Sequence, residues 1–87
     1  MIEIYTKAQC PYCELAKRFL KERGRSAIEY RVDLDPARLS EMLERSGGRR
    51  TVPQIFIRGE HIGGYDDLLA CHGSGRLAVL LGEGDER

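Results

Sequence analysis

Apolar and polar positions alternate from the start of the chain: Ile2, Ile4 and Thr6 fall opposite Glu3 and Tyr5, a period of two that predicts a first strand ending just before Cys10. After Pro11 the period lengthens. Leu15, Ala16, Phe19 and Leu20 gather on one helical face while Lys17, Arg18, Lys21 and Glu22 lie elsewhere; Pro11 suits the first helical position and Gly24 offers a stop. A second strand is predicted over about Ile28 to Leu34. A helix follows, capped by Asp35 and opened by Pro36, with Leu39, Met42 and Leu43 as its apolar face and Gly47-Gly48 as its end. Pro53 to Ile57 alternates as a third strand, Arg58-Gly59-Glu60 reads as a turn, and His61-Ile62 as a short return strand that completes a hairpin. Gly63-Gly64-Tyr65-Asp66-Asp67 begins a last helical stretch through Leu68, Leu69, Leu77, Leu80 and Leu81, with an interruption expected at Gly73-Ser74-Gly75.

This order sets one parallel crossover beside an antiparallel pair. The expected fold class is therefore α/β: a four-stranded mixed sheet flanked by about three helices. With 87 residues there is room for one small domain, placed over 1–82, and a short mobile tail over 83–87. The 14 basic and 14 acidic side chains cancel, so no overall field recruits nucleic acid. No basic stretch precedes an apolar one at the N-terminus, and no apolar run approaches the roughly 18 residues that span a bilayer. The expectation is a soluble cytoplasmic monomer with no nucleic-acid or membrane partner.

The three cysteines are too few, and odd in number, for the stapled scaffold of a small secreted domain. Cys10 and Cys13 instead form a Cys-x-x-Cys pair at a strand-to-helix junction. Thiol-disulfide exchange needs one thiolate to attack and a second thiol near enough to displace the mixed disulfide, and this spacing supplies both. Cys10 lies just before the helix, where free backbone N–H groups and the positive end of the dipole stabilise an anion, and Lys7 adds a nearby cation. Cys13, one turn inside, is the resolving sulfur. Glu14 opposes the thiolate. Lowering a thiol pKa from about 8.5 to about 5 raises the thiolate fraction at about pH 7 roughly 30-fold, while a Brønsted slope of about 0.45 lowers intrinsic nucleophilicity roughly 40-fold. The two effects nearly cancel. The gain is that Cys10 leaves faster when its own mixed disulfide is attacked. A zinc site would want a second ligand pair; Cys71 and His72 are adjacent and His61 is alone, so no metal is expected and Cys71 reads as a spare helical thiol.

Cys10-Pro11-Tyr12-Cys13, Thr51-Val52-Pro53 and Gly63-Gly64-Tyr65-Asp66-Asp67 occur in family-like order and spacing, and the chain from about Ile2 to Leu81 resembles a glutaredoxin of the small bacterial dithiol kind. The resemblance implies a thioredoxin-like fold, catalytic Cys10 and Cys13, glutathione as reducing co-substrate and no permanently bound cofactor. It also implies a cis bond before Pro53, which leaves the Val52 backbone free to pair with an extended peptide such as glutathione. Thr51, Val52 and Pro53 would form that edge, and Tyr12 would border the bound sulfur. Backbone N–H groups after Gly64, at Tyr65 and Asp66, suit a γ-glutamyl carboxylate, and Asp66 or Asp67 its ammonium. Lys7 is the first choice of cation for the glycyl carboxylate and Arg50 the second; Arg49 and Arg50 read equally well as solvated charges. Implied partners are disulfide-containing or glutathionylated proteins, with ribonucleotide reductase a family possibility. Two rivals are a glutathione-ligated two-iron two-sulfur cluster carrier and a glutaredoxin-like donor reduced by thioredoxin reductase. Pro11 is associated against the first, and intact Gly63-Gly64 and Asp66-Asp67 argue against the second.

Overall fold

Strand β1, Ile2–Thr6, pairs on one side with β2, Ile28–Arg31, in parallel and on the other with β3, Gln54–Ile57, antiparallel; β4, Glu60–Gly63, closes the sheet beside β3. The computed structural model describes residues 1–83. Strand order is β2-β1-β3-β4, so the expected mixed four-stranded sheet is present. Helix α1, Pro11–Glu22, makes the crossover and α2, Pro36–Arg45, follows β2. The last helical stretch is two helices, α3 at Tyr65–Gly73 and α4 at Arg76–Leu80, because Gly75 takes a left-handed φ of 84° that no helix can continue through. Among the described residues four helices therefore flank the sheet where about three were expected.

Most local signals act where the sequence places them. Cys10 is the N-cap of α1 and Pro11 opens it, while the Gly24 N–H closes it by donating to Lys21 O at 2.9 Å. Asp35 caps α2 by accepting from Ala37 N–H at 3.0 Å. The two residues joining β3 to β4, Arg58 and Gly59, both have positive φ, 55° and 80°, as a two-residue hairpin turn of this twist requires. Two expectations change. Strand β2 stops at Arg31, short of Leu34: the Val32 N–H makes a last bond to Thr6 O, and the Leu34 and Asp35 N–H groups turn back onto Arg31 O. In α1 the buried stripe is Cys13, Ala16 and Leu20, whereas Leu15 lies outside it and is 37% exposed.

The sheet has two unlike faces. Ile2, Ile4, Ile55 and Ile57 meet Ala16 and Leu20 of α1, Leu68 of α3 and Leu77 of α4. On the other face Tyr5 and Phe56 pack against Met42 of α2. Of the tail expected over 83–87, Glu83 is held by Arg23 at 3.1 Å and Arg25 at 2.8 Å, and 84–87 lie outside the described residues. Among the described residues no helix is long and apolar enough to cross a membrane.

Candidate functional site

The chain leaves β1 and must turn before α1 begins, and that turn presents Cys10. Asp33, two residues past β2, accepts the Ala8 N–H at 3.1 Å and two bonds from Arg31, at 2.8 and 2.7 Å. The Arg31 guanidinium holds the Asp33 carboxyl far below the usual aspartate range, so the anchor stays charged at neutral pH. Gln9 then takes a positive φ of 55° and Cys10 an extended one, which ends the loop at the helix start.

Cys10 and Cys13 are joined as a disulfide, their Cα atoms 5.2 Å apart. Cys10 Sγ accepts the Cys13 N–H at 3.2 Å, one of the donors a helix start leaves unpaired. Cys10 is 8% exposed and Cys13 is fully buried, so an incoming sulfur meets Cys10 first. Glu14, which the sequence sets against the thiolate, instead pairs with Lys17 at 3.1 Å.

A groove passes Cys10 in two depressions that share Thr51 and Val52. The larger, about 420 Å³, is bounded by Lys7, Cys10, Pro11 and Arg50. Among the described residues neither Lys7 nor Arg50 forms an ion pair, which leaves two cations beside the sulfur. The smaller, about 160 Å³, lies between Tyr12, Thr51, Val52 and Pro53 on one side and Gly64 to Asp67 on the other. Between them Val52 O stands 3.8 Å from Cys10 Sγ, and the Val52-Pro53 peptide is cis, as the resemblance implies. The rings of Tyr12 and Tyr65 stack across the rim at 6.1 Å.

At the far end the start of α3 is built around Asp67. Its Oδ2 accepts the Gly64 N–H at 2.9 Å, which keeps the carboxyl below its ordinary range, and Arg49 Nη1 approaches the same oxygen at 3.4 Å. Gly63 makes this closeness possible: its φ is 117°, and a Cβ there would stand 2.7 Å from Asp67 Cγ. Asp66 is exposed and forms no ion pair among the described residues.

The sequence profile described as Glutaredoxin matches residues 2–62. The chain belongs to the glutaredoxin family. It is 52% identical over 80 residues to Glutaredoxin 3 of Escherichia coli, covering 92% of this chain and 95% of that one. A probable glutaredoxin of Synechocystis is 46% identical over 80 residues, with 92% and 91% covered. Among solved structures, the solution structure of a glutaredoxin from Brucella melitensis superposes with a TM-score of 0.78 at 44% identity, over 99% of this chain and 92% of that one. A crystal structure of a buckwheat glutaredoxin-glutathione complex gives a TM-score of 0.83 at 32% identity, over 94% and 76%. This glutaredoxin is a thiol-disulfide oxidoreductase, with the thioredoxin-like fold of its relatives.

The fold brings the residues singled out from the sequence onto one surface: Lys7 and Arg50 at the cationic end, Cys10 above buried Cys13, then Tyr12, Thr51, Val52 and Pro53, and Gly64 to Asp67 at the far end. Arg49 of this glutaredoxin also lines the groove, against Asp67; nothing in the run Arg49-Arg50 distinguishes which arginine goes to which end. Sequence reading also passed over Gln54 and His61, a hydrogen-bonded pair directly behind Thr51. No local signal marks them, since each reads as a polar position on a strand. Cys71 stands apart, half-buried against the core, and burial pushes its thiol up. Among the described residues no group of three or more His, Cys, Asp or Glu side chains is placed to hold a metal ion.

Proposed function

We propose that this glutaredoxin reduces glutathione mixed disulfides and protein disulfides, with glutathione as the electron donor. The observation that carries this reading is the charge order along the groove. Two cations that form no ion pair among the described residues, Lys7 and Arg50, flank one side of Cys10, and a helix start with exposed Asp66 lies on the other. Glutathione carries a lone carboxylate at its glycyl end and an amino-acid zwitterion at its γ-glutamyl end, so a tripeptide bound through its central sulfur matches both ends. The buckwheat glutaredoxin, solved as a complex with glutathione, supports the same ligand here.

In the mixed-disulfide reaction the Cys10 thiolate attacks the glutathionyl sulfur, and the target leaves as a thiolate. A second glutathione thiolate then attacks that glutathionyl sulfur, releasing Cys10 and forming glutathione disulfide. One free glutathione is consumed per target: it leaves joined to the glutathionyl group as glutathione disulfide, and the target keeps its thiol. With a protein disulfide, Cys10 forms a mixed disulfide with the protein; Cys13 attacks Cys10 Sγ, the protein leaves reduced, and the Cys10-Cys13 disulfide remains until two glutathiones reduce it.

The test is a glutathione-coupled assay on a glutathionylated peptide. Cys10→Ser is expected to abolish turnover and Cys13→Ser to retain much of it, since the resolving sulfur has no part in the first route. Full activity in Cys10→Ser would sink the assignment of the attacking sulfur. Faster reduction of the oxidised protein by thioredoxin reductase than by glutathione would overturn the choice of reductant.

A further inference from the structure

Gln54 opens β3 and is fully buried, yet it is neither catalytic nor exposed to the groove. All of its amide's polar atoms are spoken for. Nε2 donates to Thr51 O at 3.0 Å and to Thr51 Oγ1 at 3.2 Å, which leaves Oε1 facing His61 Nε2 at 2.7 Å. Oε1 can only accept, so His61 Nε2 carries the proton and donates. His61 is itself fixed on β4, its ring stacked on Phe56 at 4.8 Å and 25°. An apolar residue at position 54 would fill the same space without three hydrogen bonds to satisfy, so the amide calls for a reason beyond packing.

The reason is the direction of one peptide unit. In a trans peptide the C=O and the following N–H point opposite ways, and the peptide between Thr51 and Val52 is trans. Gln54 draws the Thr51 C=O inward, toward the sheet. The Val52 N–H is thereby sent outward, where it has no backbone partner among the described residues. Val52 O, on the next unit, already stands 3.8 Å from Cys10 Sγ. Both Val52 backbone groups thus face the place where the substrate sulfur must arrive. We propose that Gln54, braced by His61, is a positioning residue of the reaction: it holds the Val52 backbone as a preformed edge to which disulfides carrying a peptide backbone pair. This rests on the glutathione reading above, because glutathione is the peptide that would use the edge.

The experiment compares a glutathionylated peptide with bis(2-hydroxyethyl) disulfide, which has no peptide backbone. Turnover is followed with glutathione for the first. Single-turnover oxidation of the reduced protein, without glutathione, is followed for the second. Gln54→Met keeps the size of the side chain and removes all three bonds; KM for the glutathionylated peptide is expected to rise about fivefold with kcat held within about twofold. The rate with bis(2-hydroxyethyl) disulfide should stay at the wild-type value. An unchanged KM, or an equal loss on both disulfides, overturns the positioning role. His61→Phe keeps the stack on Phe56 and removes only the brace, so a KM rise of about twofold is expected, and it decides the question should Gln54→Met not fold. If the wild-type protein itself shows no preference for the glutathionylated peptide, the glutathione reading fails first, and that outcome is visible without any variant.

Discussion

The two faces of the sheet are built from different materials. Toward α1, α3 and α4 the contacts are mainly aliphatic, isoleucines of β1 and β3 against alanine and leucines of the helices, and the buried Thr6 hydroxyl on that side is satisfied by Glu29 at 2.6 Å. Toward α2 the buried surface is aromatic and threaded with polar groups. Arg45 donates to Tyr5 Oη at 2.7 Å and to Glu3 at 2.9 Å, Tyr30 donates to Glu3 at 3.0 Å, and Phe56 lies between the Arg45 guanidinium at 4.1 Å and the His61 ring. The first face is non-directional and tolerates small shifts. The second sets angles, and it is the face that backs Thr51 and Val52 through Gln54. Stability and aim are thus carried by opposite sides of the same four strands.

The largest effect expected from breaking this contrast lies on the aliphatic side. Leu20 is 1% exposed, and Leu20→Ala removes its contribution and leaves a cavity worth about 2–5 kcal/mol. Denaturant titration of the reduced protein should show the loss, while the preference for a glutathionylated peptide over bis(2-hydroxyethyl) disulfide persists in the folded fraction. Loss of that preference at full folding would show that the aliphatic face sets aim as well. Next in size is Arg45→Met. It leaves the buried Tyr5 hydroxyl and the Glu3 carboxylate each short of a donor, at a cost of about 1–3 kcal/mol. The same change made in a Tyr5→Phe background should cost less, because one of the two orphaned groups is already gone. Equal costs in both backgrounds would mean that the hydrogen bond to Tyr5 contributes nothing.

Legibility in the sequence followed the same division. The aliphatic face was readable because burial there follows the period of each element: Ile2 and Ile4 at a spacing of two, Ala16 and Leu20 at a spacing of four. Leu15 shows the limit of that method, since α1 meets the sheet on a narrower stripe than its apolar residues span. The chemical centre was readable for another reason. Its parts are backbone devices with strong local signatures: a cysteine pair before Pro11, a proline at position 53, paired glycines before Tyr65. The polar face gave no comparable sign. Gln54 and His61 look like exposed positions of alternating strands, and their burial depends on β3 being covered on both sides, a tertiary fact. Which of Arg49 and Arg50 reaches Asp67 is likewise decided by the loop and by α3 together.

The smallest effect is a pH dependence, and it isolates one contact of the polar face. The Arg45 guanidinium, more than Tyr30, holds the Glu3 carboxyl below its ordinary value of 4.5 against the opposing effect of burial. In the unfolded chain that ordinary value returns, so on acidification the unfolded state binds the proton first. Stability contributed by Glu3 is therefore fully present above about 4.5 and is lost as pH falls through the folded-state value. Glu29, Asp33, Glu41, Asp67 and Glu83 are shifted in the same direction, so the whole protein should weaken in acid and no single curve can be assigned to one group. The difference between wild type and Glu3→Gln removes this ambiguity, because the other five titrate in both. Unfolding free energies measured from neutral pH down through the carboxylate range should differ most at neutral pH, wild type being the more stable, and converge as the pH falls. A constant gap across the range would show that Glu3 acts by shape and hydrogen bonding and not by its charge, and the polar face would then differ from the aliphatic one in geometry alone.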